Sequence, residues 1–185
     1  MSAKYQFYGL ISVFAIVSWW MSQLTVSGEI EASAVHPQSP DYFSTGYEKI
    51  EMDIEGKLKS KVTSDKLTHY SDTDSAELNS PVMTMYKPES PTWVIRSETG
   101  TVPAGGREVF LNGRVFIDRA KAPGYEEIKI ITSNLRVEPE QDYAETEEWT
   151  DLIMPPDKTS GTGMKVTFSN PIHLELLANV RGRYE

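Results

Sequence analysis

The 185-residue chain contains no cysteine. That single absence excludes a disulfide framework, a thiolate metal site and a thiol nucleophile. Histidine is scarce: His36, His69 and His173 are far apart, and none stands at metal-ligand spacing from another. Positive charge is also in deficit, with 18 Lys and Arg against 27 Asp and Glu, a formal net charge of −9. Sequence-independent nucleic-acid binding depends on basic patches, so it is excluded as a role. Loops that hold phosphate or calcium are missing. Gly161 to Lys165 is too short for a phosphate loop and runs into a strand pattern, and Asp72-Thr73-Asp74 lacks the Gly and the bidentate Glu of a calcium loop. The acidic residues between Glu138 and Glu148 read as a solvated loop. No catalytic constellation, cofactor or metal is expected.

What is present begins with residues 5–28, a stretch of 24 residues without a charge. As a helix rising about 1.5 Å per residue it reaches roughly 36 Å, enough for a hydrocarbon core of about 30 Å. Trp19 and Trp20 sit near one end, as in an interfacial aromatic belt, and Gly9, Ala15 and Ser18 offer small faces for close helix approach. A cleaved leader would use the small residues Ala32-Ser33-Ala34, but these lie more than ten residues beyond Met21. The lengths favour a retained anchor. Lys4 on the short side, with Glu29 and Glu31 after the span, places the N-terminus in the cytoplasm and the acidic bulk across the membrane.

Residues 29–46, with Pro37 and Pro40, show neither helical nor strand period and read as a tether. From Tyr47 the period is two: Ile50, Met52 and Ile54 share one face, and Glu51, Asp53 and Glu55 the other. Gly56 marks a turn, and Leu58, Ser60 and Val62 open a second strand, so residues 47–62 form a hairpin. The division expected is therefore anchor 1–28, tether 29–46 and β domain 47–185.

The domain then repeats a short pattern. Val62-Thr63-Ser64-Asp65, Ile95-Arg96-Ser97-Glu98 and Ile131-Thr132-Ser133-Asn134 recur at spacings of 33 and 36 residues. Such recurrence signals one stacked supersecondary unit, here two short strands turned at Asn-Gly or Asn-Pro dipeptides, with Asn112-Gly113 and Asn170-Pro171 among them. Because the serines belong to the repeat, turn chemistry explains them better than nucleophilic catalysis. About a dozen short strands are expected, with residues 47–55 at one edge and 172–177 at the other. Leu174 to Val180 is the sole helical competitor, and Ile172, Leu174 and Leu176 alternate equally well for a strand. Edges are templates for pairing with another chain, which makes Tyr47, Ile172, Leu174 and Leu176 interface candidates.

Parity names an interior of Leu78, Val82, Trp93, Ile95, Val109, Leu111, Val115, Ile117, Met164, Val166 and Leu174, with Ile50, Met52 and Ile54 on the first strand. Two readings fit these side chains: a groove that admits acyl chains, or an ordinary packed core. The second makes the chain a tethered adaptor that only pairs with other proteins.

Several segments, taken in order, carry a resemblance. They are an N-terminal anchor, a proline-containing tether, Tyr70-Ser71-Asp72, Pro81-Val82-Met83-Thr84-Met85-Tyr86, Pro91-Thr92-Trp93, Gly113-Arg114-Val115, Ile130-Ile131-Thr132-Ser133-Asn134 and Val180-Arg181-Gly182-Arg183-Tyr184-Glu185. Together they resemble the LptC family of lipopolysaccharide export proteins. The resemblance implies an all-β fold, a twisted open β-jellyroll behind a single transmembrane helix, moored to the inner membrane and facing the periplasm. It also implies passage of lipopolysaccharide from the ATP-driven LptB–LptF–LptG transporter to the bridging protein LptA, and a possible homodimer of the free domain. Gly56 and Gly163 match family glycines of the first hairpin and the C-terminal edge, while Leu78 and Asn112 stand where the family has rings.

Overall fold

A computed structural model describes Tyr8 and residues 13–21, 39–88 and 90–183. It contains two compact units, Met1–Pro37 and Gln38–Glu185. In the first, residues 13–21 are helical and include Ala15, Ser18, Trp19 and Trp20; Gly9 lies outside the described residues. Among the described residues, no helix is long and apolar enough to cross a membrane.

The second unit is one antiparallel meander of ten strands: β1 (Tyr42–Met52), β2 (Leu58–Tyr70), β3 (Ser75–Asn79), β4 (Val82–Lys87), β5 (Ser90–Val102), β6 (Val109–Arg119), β7 (Ile128–Glu138), β8 (Tyr143–Met154), β9 (Asp157–Thr167) and β10 (His173–Arg183). Each strand pairs with its sequence neighbours, except that β3 and β4 both lie between β2 and β5. They are two halves of one bent strand. The sheet starts at Tyr42, so residues 42–46 belong to β1 and not to the tether. The hairpin expected over 47–62 is present as β1 and β2, with the Gly56 turn at φ +76° between them.

The strands are fewer and longer than the dozen expected, because the repeated dipeptides do a different job. Asn112-Gly113 and Asn79-Ser80-Pro81 are not hairpin turns; they interrupt strands in mid-course. Gly113 (φ +75°), Asn134 (φ +48°), Gly163 (φ +72°) and Asn179 (φ +52°) sit inside β6, β7, β9 and β10, and Ser80 (φ +49°) joins β3 to β4. A residue in the left-handed region breaks the pleat and bends the strand. The ladder registers shift near these positions, between Leu111 and Arg114, Ile131 and Arg136, and Thr146 and Trp149. Asn170-Pro171 alone behaves as expected, in the turn between β9 and β10.

The bends align into a crease that divides the sheet into two limbs. In β7 the inward parity changes across it: the buried residues are Ile128, Ile130 and Thr132 on one side, then Leu135 and Val137 on the other. Side chains take over the hydrogen bonds that the broken ladder leaves open. Ser97 Oγ donates to Thr99 O at 2.9 Å, Thr146 Oγ1 to Ser133 O at 2.8 Å, and Gly113 N to Asn134 Oδ1 at 3.2 Å. Ser64 Oγ lies 2.8 Å from Lys66 O and 2.7 Å from Asn79 O. Ser64 and Ser97, two of the recurring serines, thus serve the crease through their hydroxyls.

Between the limbs lies one core, in which Trp93, Ile95, Leu111, Val115, Ile117, Met164, Val166 and Phe168 are almost wholly buried. Burying each aliphatic side chain is worth about 1.5–3 kcal/mol. Val82 departs from the expected interior: Met83 and Met85 point inward and Val82 is half-buried on the opposite face. The reason is Ser80, whose positive φ shifts parity by one between Leu78 and Pro81.

Candidate functional site

The two ends of the limbs differ. At one, Trp93 packs on Phe168 with ring centroids 5.1 Å apart, Asn170 Nδ2 donates to the Tyr125 hydroxyl at 3.1 Å, and Lys87 pairs with Asp142. Arg119 is buried here between Trp93 and Tyr125, its guanidinium 5.0 and 5.4 Å from their ring centroids. Its Nη2 donates to Glu126 O at 3.1 Å, its Nε has no hydrogen-bond partner among the described residues, and burial pushes its pKa down. The ring faces supply part of the lost hydration. This end is closed.

At the other end a cleft of about 220 Å³ opens between the limbs. Its apolar floor is Val62, Leu67, Ala76, Leu78, Val102 and Val109; Lys49, Glu51, Arg107 and Glu140 stand at its polar parts. One wall is β1, through Tyr47, Lys49, Ile50 and Glu51. Glu51 Oε2 accepts from Ser60 Oγ at 3.1 Å and Oε1 pairs with Lys59 Nζ at 3.5 Å, so the wall is tied to β2. Among the described residues the ladder of β1 is with β2 alone, which leaves its other edge free, and β10, paired only with β9, is the second free edge.

The structure therefore divides the residues named from parity. Ile50, Leu78 and Val109 line the cleft. Trp93, Ile95, Leu111, Val115, Ile117, Met164 and Val166 fill the closed core instead, and Leu174 packs half-buried against it. Met52 and Ile54 share no buried face: they are 59% and 105% exposed at the tip of an edge hairpin that no second layer of the described residues covers. Of the interface candidates, Tyr47 is on β1, Gly56 in the hairpin turn, Leu174 and Leu176 on β10, and Gly163 on β9; Ile172 precedes β10. A Cβ on Gly163 would lie 3.0 Å from the Leu177 side chain. Sequence reasoning missed Leu67, Ala76, Val102 and Arg107. Leu67 breaks the parity of β2 at the crease, and Val102 ends β5 beside the Pro103–Gly106 turn; the Gly105-Gly106 dipeptide, unread in the sequence, is the signal that could have found this corner.

A second network lies on the outer face of β7 and β8. Arg136 donates to Glu145 Oε1 through Nε (3.0 Å) and Nη2 (2.5 Å), and through Nη1 to Glu108 and Glu138. Desolvation, then the hydrogen bond to Glu145, pushes the Tyr143 hydroxyl up to about 12, while Tyr143 and Arg136 hold the Glu145 carboxyl below its ordinary range. This network braces the 3₁₀ turn Pro139–Gln141, one end of which reaches the cleft.

A creased single-sheet jellyroll, closed at one end and apolar at the other, with two unpaired edges, defines an open-ended β scaffold of the kind that can house a greasy ligand. The family described as Lipopolysaccharide-assembly, LptC-related, matches residues 8–185, and the chain belongs to that family. Its fold is also similar to the crystal structure of LptH, the LptA homologous periplasmic component of the conserved lipopolysaccharide transport device from Pseudomonas aeruginosa. The TM-score is 0.53 at 12% sequence identity, over 68% of this chain and 94% of that one. No curated protein sequence matches. The family membership gives the chain a role in lipopolysaccharide transport.

Proposed function

We propose that the chain takes acyl chains of lipopolysaccharide into the end cleft and passes the lipid from the LptB–LptF–LptG transporter to LptA. One observation carries this reading: the apolar cleft lies between the limbs at the end where its wall, β1, is also a free strand edge. Exposing an acyl chain to water costs about 0.8 kcal/mol per CH₂, so transfer needs apolar surface that continues into the next protein. Strand addition at β1 or β10 would supply that continuity through backbone hydrogen bonds. The cleft is smaller than the roughly 300–1,000 Å³ of ordinary ligand pockets, so a lipid with several chains requires β1 to move aside. Residues 5–28 hold the domain at the inner membrane, N-terminus inward, with Gly9, Ala15 and Ser18 against transporter helices. The same edges would support a homodimer of the free domain.

The tightly filled core around Trp93, Ile95 and Ile117 favours the second reading, a tethered adaptor that pairs with partners and holds no lipid. A photo-crosslinking scan with lipopolysaccharide separates the two. Probes at Ile50, Leu78 and Val109 should label, and outward Phe116 should not. Labelling confined to Phe116, or none at all, leaves the adaptor.

A further inference from the structure

The start of β1 is held to β2 by its ladder and by an imidazole beside it. His69, near the end of β2, faces Asp41 Oδ1 through Nδ1 at 2.8 Å and Asp74 Oδ1 through Nε2 at 3.3 Å. Tyr42 stacks on the ring at 4.6 Å between centroids and 11° between planes. Asp41 N also donates to His69 O at 3.1 Å, so one residue of β2 grips both the backbone and the side chain that open β1. Asp74 comes from the turn between β2 and β3. On β3, the residue opposite His69 is the uncharged Ala76, and neighbouring Glu77 accepts from the Tyr70 hydroxyl at 3.1 Å.

A neutral imidazole has one N–H and one lone pair, whereas the imidazolium has two N–H groups. With a carboxylate at each nitrogen, only the imidazolium donates to both; the neutral ring turns a lone pair toward one of them. We propose that His69 is a pH-operated clasp on the cleft wall: protonated, it locks the start of β1 to β2 and to the β2–β3 turn, and deprotonated, it lets the start of β1 fray from its edge. The pH window follows from the two sides of the pair. The hydrogen bond that His69 donates to Asp41 is the main cause that raises the pKa of His69, and the same bond lowers that of Asp41. The stabilisation from His69 is therefore complete below the ordinary imidazole value of about 6.5 and is lost as pH rises through the raised folded value. That from Asp41 is lost only as pH falls through its lowered carboxylate value.

The clasp governs β1 whether or not a lipid uses the cleft, so it is tested without lipid. Amide protection factors at Tyr42 to Thr45, corrected for the base-catalysed intrinsic rate, should fall roughly fivefold between about pH 5.5 and 8.5 in the full-length chain. The midpoint should coincide with the His69 ring titration by NMR. His69→Gln should flatten the profile. Asp74→Asn, which leaves the Asp41 bond and the fold in place, should lower the midpoint. A flat profile in the wild-type chain, the same slope in His69→Gln, or an unmoved midpoint in Asp74→Asn would each overturn the clasp.

Discussion

The closed end and the open end of this jellyroll are made from the same sheet, yet they solve opposite problems. At the closed end, Trp93, Phe168 and Arg119 interlock across the limbs and the Lys87–Asp142 pair lies over the seam. At the open end the limbs part around Leu78 and Val109, and the gap is fronted by β1, a strand with one ladder and no layer behind it. The tightest packing lies away from the cleft. The difference shows that an open apolar cleft can coexist with a tightly packed core, provided the two occupy different stretches of the same strands.

The sharpest way to break this contrast is truncation at each end. Trp93→Ala should cost about 3–5 kcal/mol in chemical unfolding, because the site is filled on all sides and cannot collapse. Leu78→Ala, beside the cleft, should cost about 2 kcal/mol, the low end for such a change, since water and β1 can relax into the gap. Equal losses would abolish the distinction. Next in size is Gly163→Val, which places a branched side chain at φ +72° and 3.0 Å from Leu177. A loss of about 2–3 kcal/mol is expected, with faster amide exchange in β10 than in β6. Lys87→Met should cost about 1 kcal/mol or less, because the pair is only partly buried, and should leave exchange at β1 unchanged.

The smallest effect is a sharpening one, in acid. The Glu145 carboxyl is held down by the Tyr143 hydroxyl and by Arg136. Asp151 is also lowered, because hydrogen bonds from Ser160, Lys158 and Trp149 together outweigh its desolvation. Both contribute stability that is present above the ordinary carboxylate range and is lost as pH falls through their lowered values. The acid limb of the unfolding midpoint should therefore be shallower in Glu145→Gln, with the alkaline limb, where His69 acts, unaffected.

Much of this architecture was legible because alternation is a local signal. Val109, Leu111, Val115 and Ile117 keep one parity through the whole of β6, and all four are buried as the pattern requires. The failures are equally local. Ser80 reverses parity and misplaces Val82; an edge position deprives Met52 and Ile54 of anything to pack against, although their alternation is flawless. Asn112-Gly113 has the residues of a hairpin turn, and only the neighbouring ladder with β7 decides that the chain bends there and does not reverse. The cleft was the least legible part. Its floor gathers residues from β2, β3, β5 and β6 that share no period and meet only because the limbs fold together.

The crease has a consequence for how far such sequences can wander. A bend made by left-handed backbone at a few points, with Gly, Asn and Ser as its occupants, asks nothing of the residues between those points except that apolar and polar alternate. Side chains between those points can therefore be exchanged widely without loss of the bend, and a likeness of fold to LptH at 12% sequence identity accords with that.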